Sequence, residues 1–346
     1  MPESAPIAPI ESDARILVIN VARIGDTLML TPILRALKQA APHGELACIA
    51  HPSRAAVLQH LPFLDRLMPM TKLSAPFRDW FVRGRWDYAL VYGNDGALVR
   101  YALRIAHRVV AFQQALPALN AQLFRPVVRP HTALHGVAER ALLAQALGVE
   151  GADPCLVYAV TTGEQGVAHA WRVRHIAPNA WPLVVLHPAS FPTKAYRDWP
   201  LEYFIQLGKR IAAQWPNAAF VITGGPEDRP RATTLAAQLG PRAVSCAGHR
   251  GLRQTAAILA GADLYVGVDT GLTHLAGALN VPMVALYHCL HRGSHLAPLN
   301  HPQLRVVEHP RVETDCDEQS AMAEISVETV FTAASELLAQ AASHAC

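Results

Sequence analysis

Short apolar runs alternate with helix-period stretches along most of the chain. Residues 15–20, R-I-L-V-I-N, are a β-branched run of the kind that a strand buried on both faces requires. A turn over residues 21–26 follows. Leu30, Ile33, Leu34 and Leu37 then recur at i, i+3, i+4 and i+7, the stripe of a helix laid on a sheet. Residues 46–50 and 88–92 are further strands, with short helices expected at 54–60 and 77–82. The pattern weakens between residues 161 and 182, where Gly163, Gly166, Pro178 and Pro182 punctuate a polar stretch. A second alternation begins beyond it. Strands are expected at 183–187, 219–223, 243–246, 264–268 and 283–287, and helices at 201–215, 230–239, 252–260 and 271–279. An amphipathic helix over 327–342 ends the series. This alternation predicts an α/β protein with two doubly wound, Rossmann-like sheets. The expected division is a disordered tail over 1–14, a first domain over 15–165, a linker over 166–181, a second domain over 182–325 and a final helix over 326–346.

Length agrees with two domains, since 346 residues exceed what one core usually serves. Apolar residues make up 51% and charged residues 16%, which excludes a disordered chain. The net charge of +3 does not argue for nucleic acid, although gathered on one face it would favour an anionic substrate or membrane surface. No two of the six cysteines are spaced as C-x-x-C, so spacing suggests neither a zinc site nor a redox pair. Scattered thiols fit a reducing cytosol. The start of the chain lacks a basic, then apolar, leader, and no apolar run approaches the ~20 residues that span a bilayer. The expected setting is the cytoplasm, with visits to a membrane face.

Four polar turns follow predicted strands, where ligands of doubly wound sheets bind. In L-Y-V-G-V-D-T-G-L-T-H, the exposed N–H groups and dipole of a helix starting near Gly271 make an anion site. Asp269 is placed to accept from sugar hydroxyls and Thr270 to donate to a phosphate oxygen. A plain helix cap by either residue, with His274 as a satisfied core histidine, is the simpler explanation of the same pattern. In R-I-G-D-T-L, Gly25 permits a tight turn, and the Asp26 carboxylate can act as a general base or merely cap a helix. In H-P-A-S-F-P-T-K, Ser190, Thr193 and Lys194 can ligate phosphate oxygens, or form a solvated loop. In T-G-G-P-E-D, Glu227 can bind a ribose hydroxyl or favour a helix dipole. The absence of G-x-G-x-x-G after the first strand argues against a nicotinamide domain.

Taken together, R-I-G-D-T-L-M-L-T-P (23–32), R-W-D-Y-A-L-V-Y-G-N-D-G-A-L-V-R-Y (85–101), T-K-A-Y-R-D-W-P (193–200), G-G-P-E (224–227) and V-D-T-G-L-T-H (268–274) resemble glycosyltransferase family 9, the ADP-heptose:lipopolysaccharide heptosyltransferases. The D-T-G-L-T-H form is most like the first heptosyltransferase of the inner core, and the likeness covers about residues 15–340. The resemblance implies a GT-B fold, two facing Rossmann-like domains with a cleft between them, the final helix crossing back towards the first. It implies inverting transfer of heptose from ADP-L-glycero-D-manno-heptose to a lipopolysaccharide inner-core acceptor, with no cofactor and no essential metal. Asp26 matches the catalytic base, while Lys194 and Thr193 match diphosphate binders, Lys194 in a catalytic part by offsetting charge on the leaving diphosphate. Glu227 matches a ribose ligand, and Asp269, Thr270, Gly271 and His274 the donor cradle.

The implied acceptor is an anionic, lipid-linked saccharide at the cytoplasmic face of the inner membrane of a Gram-negative bacterium. Gly25 and the arginines Arg100, Arg104, Arg129 and Arg140 are candidates for holding it. Arg100, Arg104 and Arg108 recur at i, i+4 and i+8 and are expected on one helical face, joined in the same domain by Arg125. Two stretches depart from the family pattern. Tyr287 leads into H-C-L-H-R-G-S-H instead of a G-P-T loop, and Gly93-Asn94-Asp95-Gly96 replaces D-x-Q-G. His288, His291 and His295 lack a supporting carboxylate or cysteine spacing, so no metal is expected there. Open alternatives are a family member using another nucleotide sugar or acceptor, a GT-B protein that binds a nucleotide sugar without transferring it, and, more distantly, an epimerase.

Overall fold

The computed structural model describes residues 9–79, 83–311 and 315–344. The chain divides into two compact units, Met1–Ala159 and Val160–Cys346.

In the first unit the strands are β1 (Ile16–Asn20), β2 (Leu46–Ala50), β3 (Arg66–Pro69), β4 (Trp86–Val91), β5 (Ala106–Phe112) and β6 (Arg125–Val127). All pair in parallel, in the order β3-β2-β1-β4-β5-β6. The central run I-L-V-I-N is buried throughout, as its composition requires. The helices are α1 (Ile24–Leu28), α2 (Thr31–Ala40), α3 (Gly96–Ile105), α4 (Pro117–Asn120) and α5 (Gly136–Gln145). Leu30, Ile33, Leu34 and Leu37 are fully buried, so the predicted stripe faces the sheet. Gly44, in the turn before β2, lies so close to the backbone of Ala14 that no Cβ fits. The helix expected at 54–60 is a 3-10 turn over Ala55–Leu58. The one expected at 77–82 is replaced by a 3-10 turn over Ala75–Phe77, and residues 80–82 lie outside the described residues.

The second unit repeats the plan with strands β7 (Leu183–His187), β8 (Ala219–Ile222), β9 (Ala243–Ser245), β10 (Leu264–Val268), β11 (Met283–Tyr287) and β12 (Leu304–Glu308), in the order β12-β11-β10-β7-β8-β9. Its helices are α6 (Thr162–His175), α7 (Leu201–Gln214), α8 (Arg229–Leu239), α9 (Leu252–Leu259), α10 (Gly271–Ala278), α11 (Gly293–Leu296) and α12 (Val327–His344). One expectation is corrected here. Much of the stretch expected to be a linker, 166–181, is the helix α6. Thr161 caps it by accepting from the Glu164 N–H, Glu164 reaches back to the Thr161 N–H, and Trp171 is buried. Two glycines in a polar stretch hid a helix whose start is set by a capping box. The final helix α12 buries Val330, Ala334, Leu337 and Leu338 in the second unit's own core, against β10–β12 and α7.

Each chain path runs outward from the sheet centre, returns, and runs outward on the other side. The reversal falls between β1 and β4 in the first unit and between β7 and β10 in the second. Loops at the carboxyl ends of such neighbouring strands diverge and leave a crevice, the ligand position of doubly wound sheets.

Candidate active site

In the first unit the loop after β1 enters α1, and Asp26 lies inside that helix rather than before it. Gly25, expected in a turn, is likewise a buried helical residue. Asp26 keeps about two-fifths of its side chain exposed, and its Oδ1 accepts from the Arg140 guanidinium at 2.7 Å. Arg140 also donates to the Asp26 carbonyl at 3.1 Å and to the Gly136 carbonyl at 2.7 Å. The hydroxyl of buried Tyr92, just beyond β4, donates to the Arg140 carbonyl at 2.8 Å. The carboxylate is therefore aimed by α5, more than a hundred residues along the chain.

This pairing revises the arginine cluster. Arg140 serves Asp26. Arg129 donates to Glu139 at 2.9 Å and to Asn94 at 2.7 Å, and lies 4.1 Å over the Phe112 ring. Arg104 donates to the carbonyls of Ala75 and Arg78. Arg108 does not share a helix face with Arg100 and Arg104: α3 ends at Ile105, and Arg108 lies on β5, bonded to the Tyr88 hydroxyl at 2.6 Å. The spacing i, i+4, i+8 carries no mark of a helix end. Of the four candidate arginines, Arg100 is the exposed one.

In the second unit, β10 delivers Asp269 and the N-terminus of α10 to the crevice. Thr270 is the helix cap, its Oγ1 accepting from the Leu272 N–H at 3.3 Å, so the simpler expectation holds for this residue. Asp269 does not cap. Its Oδ2 accepts from the Arg197 guanidinium at 2.7 Å, and both side chains are under a tenth exposed. His274 is buried with Nε2 3.7 Å from Asp269 Oδ1. Thr273 Oγ1 donates to the Val268 carbonyl, fixing the strand-to-helix turn.

Arg197 is the residue that sequence reasoning missed. Lys194 drew attention as the loop's first cation, whereas the signal was a basic residue two positions before Trp199, which is fully buried and donates to the Ile325 carbonyl at 2.9 Å. An anchored tryptophan fixes its neighbour's direction, which an exposed loop lysine lacks. Lys194 itself donates to the Tyr196 hydroxyl at 3.1 Å, and that hydroxyl bonds His291 Nε2 at 2.8 Å. Ser190 is buried and donates to the Lys194 carbonyl at 2.8 Å, while Thr193 is exposed. At the end of β7, burial pulls the His187 imidazole down to about 4, beside Thr223 Oγ1 at 3.2 Å.

Glu227 is exposed in the loop after β8. That loop is closed by Asp228, whose Oδ2 accepts from the Gly225 N–H at 2.7 Å. A Cβ at Gly224 would meet the Asp228 Cβ at 2.7 Å, so glycine is required there. Of the three histidines after β11, His288 is buried, its Nε2 bonding the Ser320 carbonyl at 2.9 Å and its ring edge-on to Tyr196, His291 bonds the Tyr196 hydroxyl, and His295 lies in α11. The cysteines, whose spacing suggests no redox pair, are not all scattered thiols. The fold brings Cys289 and Cys316 into a disulfide across 27 residues, a proximity that spacing cannot reveal.

The family model of glycosyltransferase family 9 (heptosyltransferase) matches residues 86–325, more than two-thirds of the chain. The chain belongs to glycosyltransferase family 9. It is a glycosyltransferase enzyme of the heptosyltransferase family. The chain is 27% identical to lipopolysaccharide heptosyltransferase 1 of Pseudomonas aeruginosa over 292 residues, covering 79% of this chain and 78% of that protein. It is also 27% identical to lipopolysaccharide heptosyltransferase 1 of Escherichia coli over 300 residues, covering 79% and 87%. The family 9 glycosyltransferase structure from Veillonella parvula matches with a TM-score of 0.82 at 20% identity, covering 96% of this chain and 99% of that one. ADP-heptose lipopolysaccharide heptosyltransferase II of E. coli matches at 0.77 and 21%, covering 95% and 99%. At these identities the structures show the fold, the GT-B α/β class, and both expectations of family and fold hold.

Proposed function

We propose that this enzyme moves heptose from ADP-L-glycero-D-manno-heptose to a lipopolysaccharide inner-core acceptor, Kdo-lipid A or its heptosylated form, with inversion. The observation that carries the reading is the strand-end Asp269-Thr270-Gly271 turn, which opens an eight-residue helix beside a buried Arg197–Asp269 pair in a family 9 chain. The α10 N–H groups and Lys194 take the donor diphosphate, and Glu227 the ribose. Asp26, held by Arg140, takes the proton from the acceptor hydroxyl. The freed oxygen forms a bond to the anomeric carbon, whose bond to the phosphate oxygen breaks, and ADP leaves with that electron pair. Transfer needs no metal in this scheme, because the helix N-terminus and Lys194 offset the charge that develops on ADP.

A lipid-linked acceptor places the work at a membrane face. No described helix is long and apolar enough to cross a membrane. Leu73 and Phe77 stand more than four-fifths exposed on the loop after β3, close in sequence to Lys72 and Arg78. This combination of apolar tips and cations suits peripheral contact with an anionic surface.

Purified protein given ADP-heptose and Kdo₂-lipid A is expected to release ADP only when the acceptor is present. EDTA is expected to leave the rate unchanged. Donor binding without turnover would replace the reading with a nucleotide-sugar binder, and absence of ADP-heptose binding would overturn the donor assignment.

A further inference from the structure

The loop after β11 carries a cluster that the transfer scheme does not use. Cys289 and Cys316 are joined, with Cα atoms 6.0 Å apart, and His288 Nδ1 lies 3.8 Å from Cys289 Sγ. The three ligating atoms, His288 nitrogen and the two sulfurs, all lie within 4.8 Å of one another. The imidazole is oriented as a metal-binding histidine usually is: Nε2–H donates to the Ser320 carbonyl at 2.9 Å, which leaves the lone pair on Nδ1. In the disulfide form that lone pair accepts from the Leu290 N–H at 3.2 Å. His288 and Cys289 are buried, whereas Cys316 is half-buried and gives a reductant or an ion its way in.

We propose that His288, Cys289 and Cys316 form a site for a soft divalent cation, zinc by the preference of two thiolates and an imidazole, which opens when the disulfide is reduced. Zn–S bonds of about 2.3 Å in tetrahedral geometry set the sulfurs about 3.8 Å apart. A bound cation therefore holds the two sulfurs apart at a distance that only the reduced, unbonded pair can take. A dithiol gives two electrons and two protons to the S–S bond, producing two thiols and a cyclised oxidised dithiol. Cation binding then expels both thiol protons, while His288 enters neutral. Three protein ligands leave a fourth position for solvent beside Cys316. Disulfide and cation are thus alternative fasteners of the same loop, one for each redox condition. The loop matters because His291, two residues beyond Cys289, bonds the Tyr196 hydroxyl that holds Lys194. The site is independent of which sugar the enzyme transfers.

The full chain, reduced with a phosphine and desalted under anaerobic conditions, is titrated with Co²⁺. A near-ultraviolet thiolate-to-cobalt band saturating at one equivalent and displaced by Zn²⁺ is expected. The oxidised chain is expected to show none, nor are Cys289→Ser and Cys316→Ser, while Cys155→Ser retains it. No band in the reduced chain, or an undiminished band in Cys316→Ser, overturns the proposal. The comparison of reduced with oxidised wild-type protein keeps the test decisive if a serine variant fails to fold.

Discussion

An Arg197→Met variant leaves the Asp269 carboxylate in the interior without the guanidinium that neutralises it. The pair is 2.7 Å apart, with side chains 9% and 6% exposed, and His274 at 3.7 Å is too far to take over the hydrogen bond. Removing one partner of such a buried pair costs about 3–5 kcal/mol, because the remaining charge stays desolvated. The second unit, roughly 190 residues, unfolds with an entropy of about 0.4 kcal/mol/K, so its melting temperature is expected to fall by about 8–13 °C. The loss belongs to the stranded charge rather than to missing volume, since methionine fills much of the arginine stem. Arg197→Met/Asp269→Asn is therefore expected to recover more than half of it. Scanning calorimetry of the three proteins at pH 7 measures both quantities. A single variant melting within 2 °C of wild type, or a double variant no better than the single, refutes the assignment of Arg197–Asp269 as a mutually dependent pair.

Asp26→Asn is expected to lower kcat by about 10²–10⁴ with little change in donor KM, read from acceptor-dependent ADP release, because it removes only the proton acceptor. His187 titrates near 4 when folded, against about 6.5 unfolded, so falling pH protonates the unfolded chain first and stability drops between pH 6.5 and 4. Between pH 7 and 5 this amounts to about 2 kcal/mol, which urea melts of His187→Gln should no longer show. Glu164 acts at lower pH: Arg253 holds its carboxyl at about 2, so its stabilisation is complete above about 4.5 and disappears as pH falls towards 2, a loss expected to be absent from acid titrations of Glu164→Gln. Gly44→Ala is expected to destabilise the first unit by at least about 1–3 kcal/mol in thermal melts, since its Cβ meets Ala14 backbone, which cannot rotate away.

Much of this architecture was legible in the hydrophobic pattern, and the parts that were not share a physical cause. The strands β1, β7, β10 and β11 were found because both faces are buried and the sequence there is uniformly apolar. The pattern does not mark β3, β5, β6 and β12, all towards the sheet edges, although it does mark the edge strand β9. β3 begins with an exposed arginine, β6 is R-P-V with a proline that an edge tolerates, and β5 starts with exposed His107 and Arg108, whose charge suggested a continued helix. The helix α6 has the look of a linker in sequence because only Trp171 is buried along it, so it carries no apolar stripe. Motif residues near strand ends are legible because strand ends are where the pattern changes, although Gly25 and Asp26 fall within α1 and not in the turn before it. Their partners are not legible, because Arg140 for Asp26 and Arg197 for Asp269 lie 114 and 72 residues away in sequence. Contacts between distant residues leave no local periodicity. The Cys289–Cys316 proximity was invisible for the same reason.

The position of α12 bears on how the second unit is made. Val330, Leu337 and Leu338 are fully buried in the core formed with β10–β12 and α7. Side chains of this kind contribute about 1.5–3 kcal/mol each on burial, so the three together are worth about 5–9 kcal/mol. That is the size of a whole domain's net stability. A nascent chain that has emerged only as far as β12 therefore holds a complete sheet whose β10–β12 side still lacks its cover, although α7 and α8 already pack in the same core. The full stability of the second unit is thus available only once the last helix has left the ribosome.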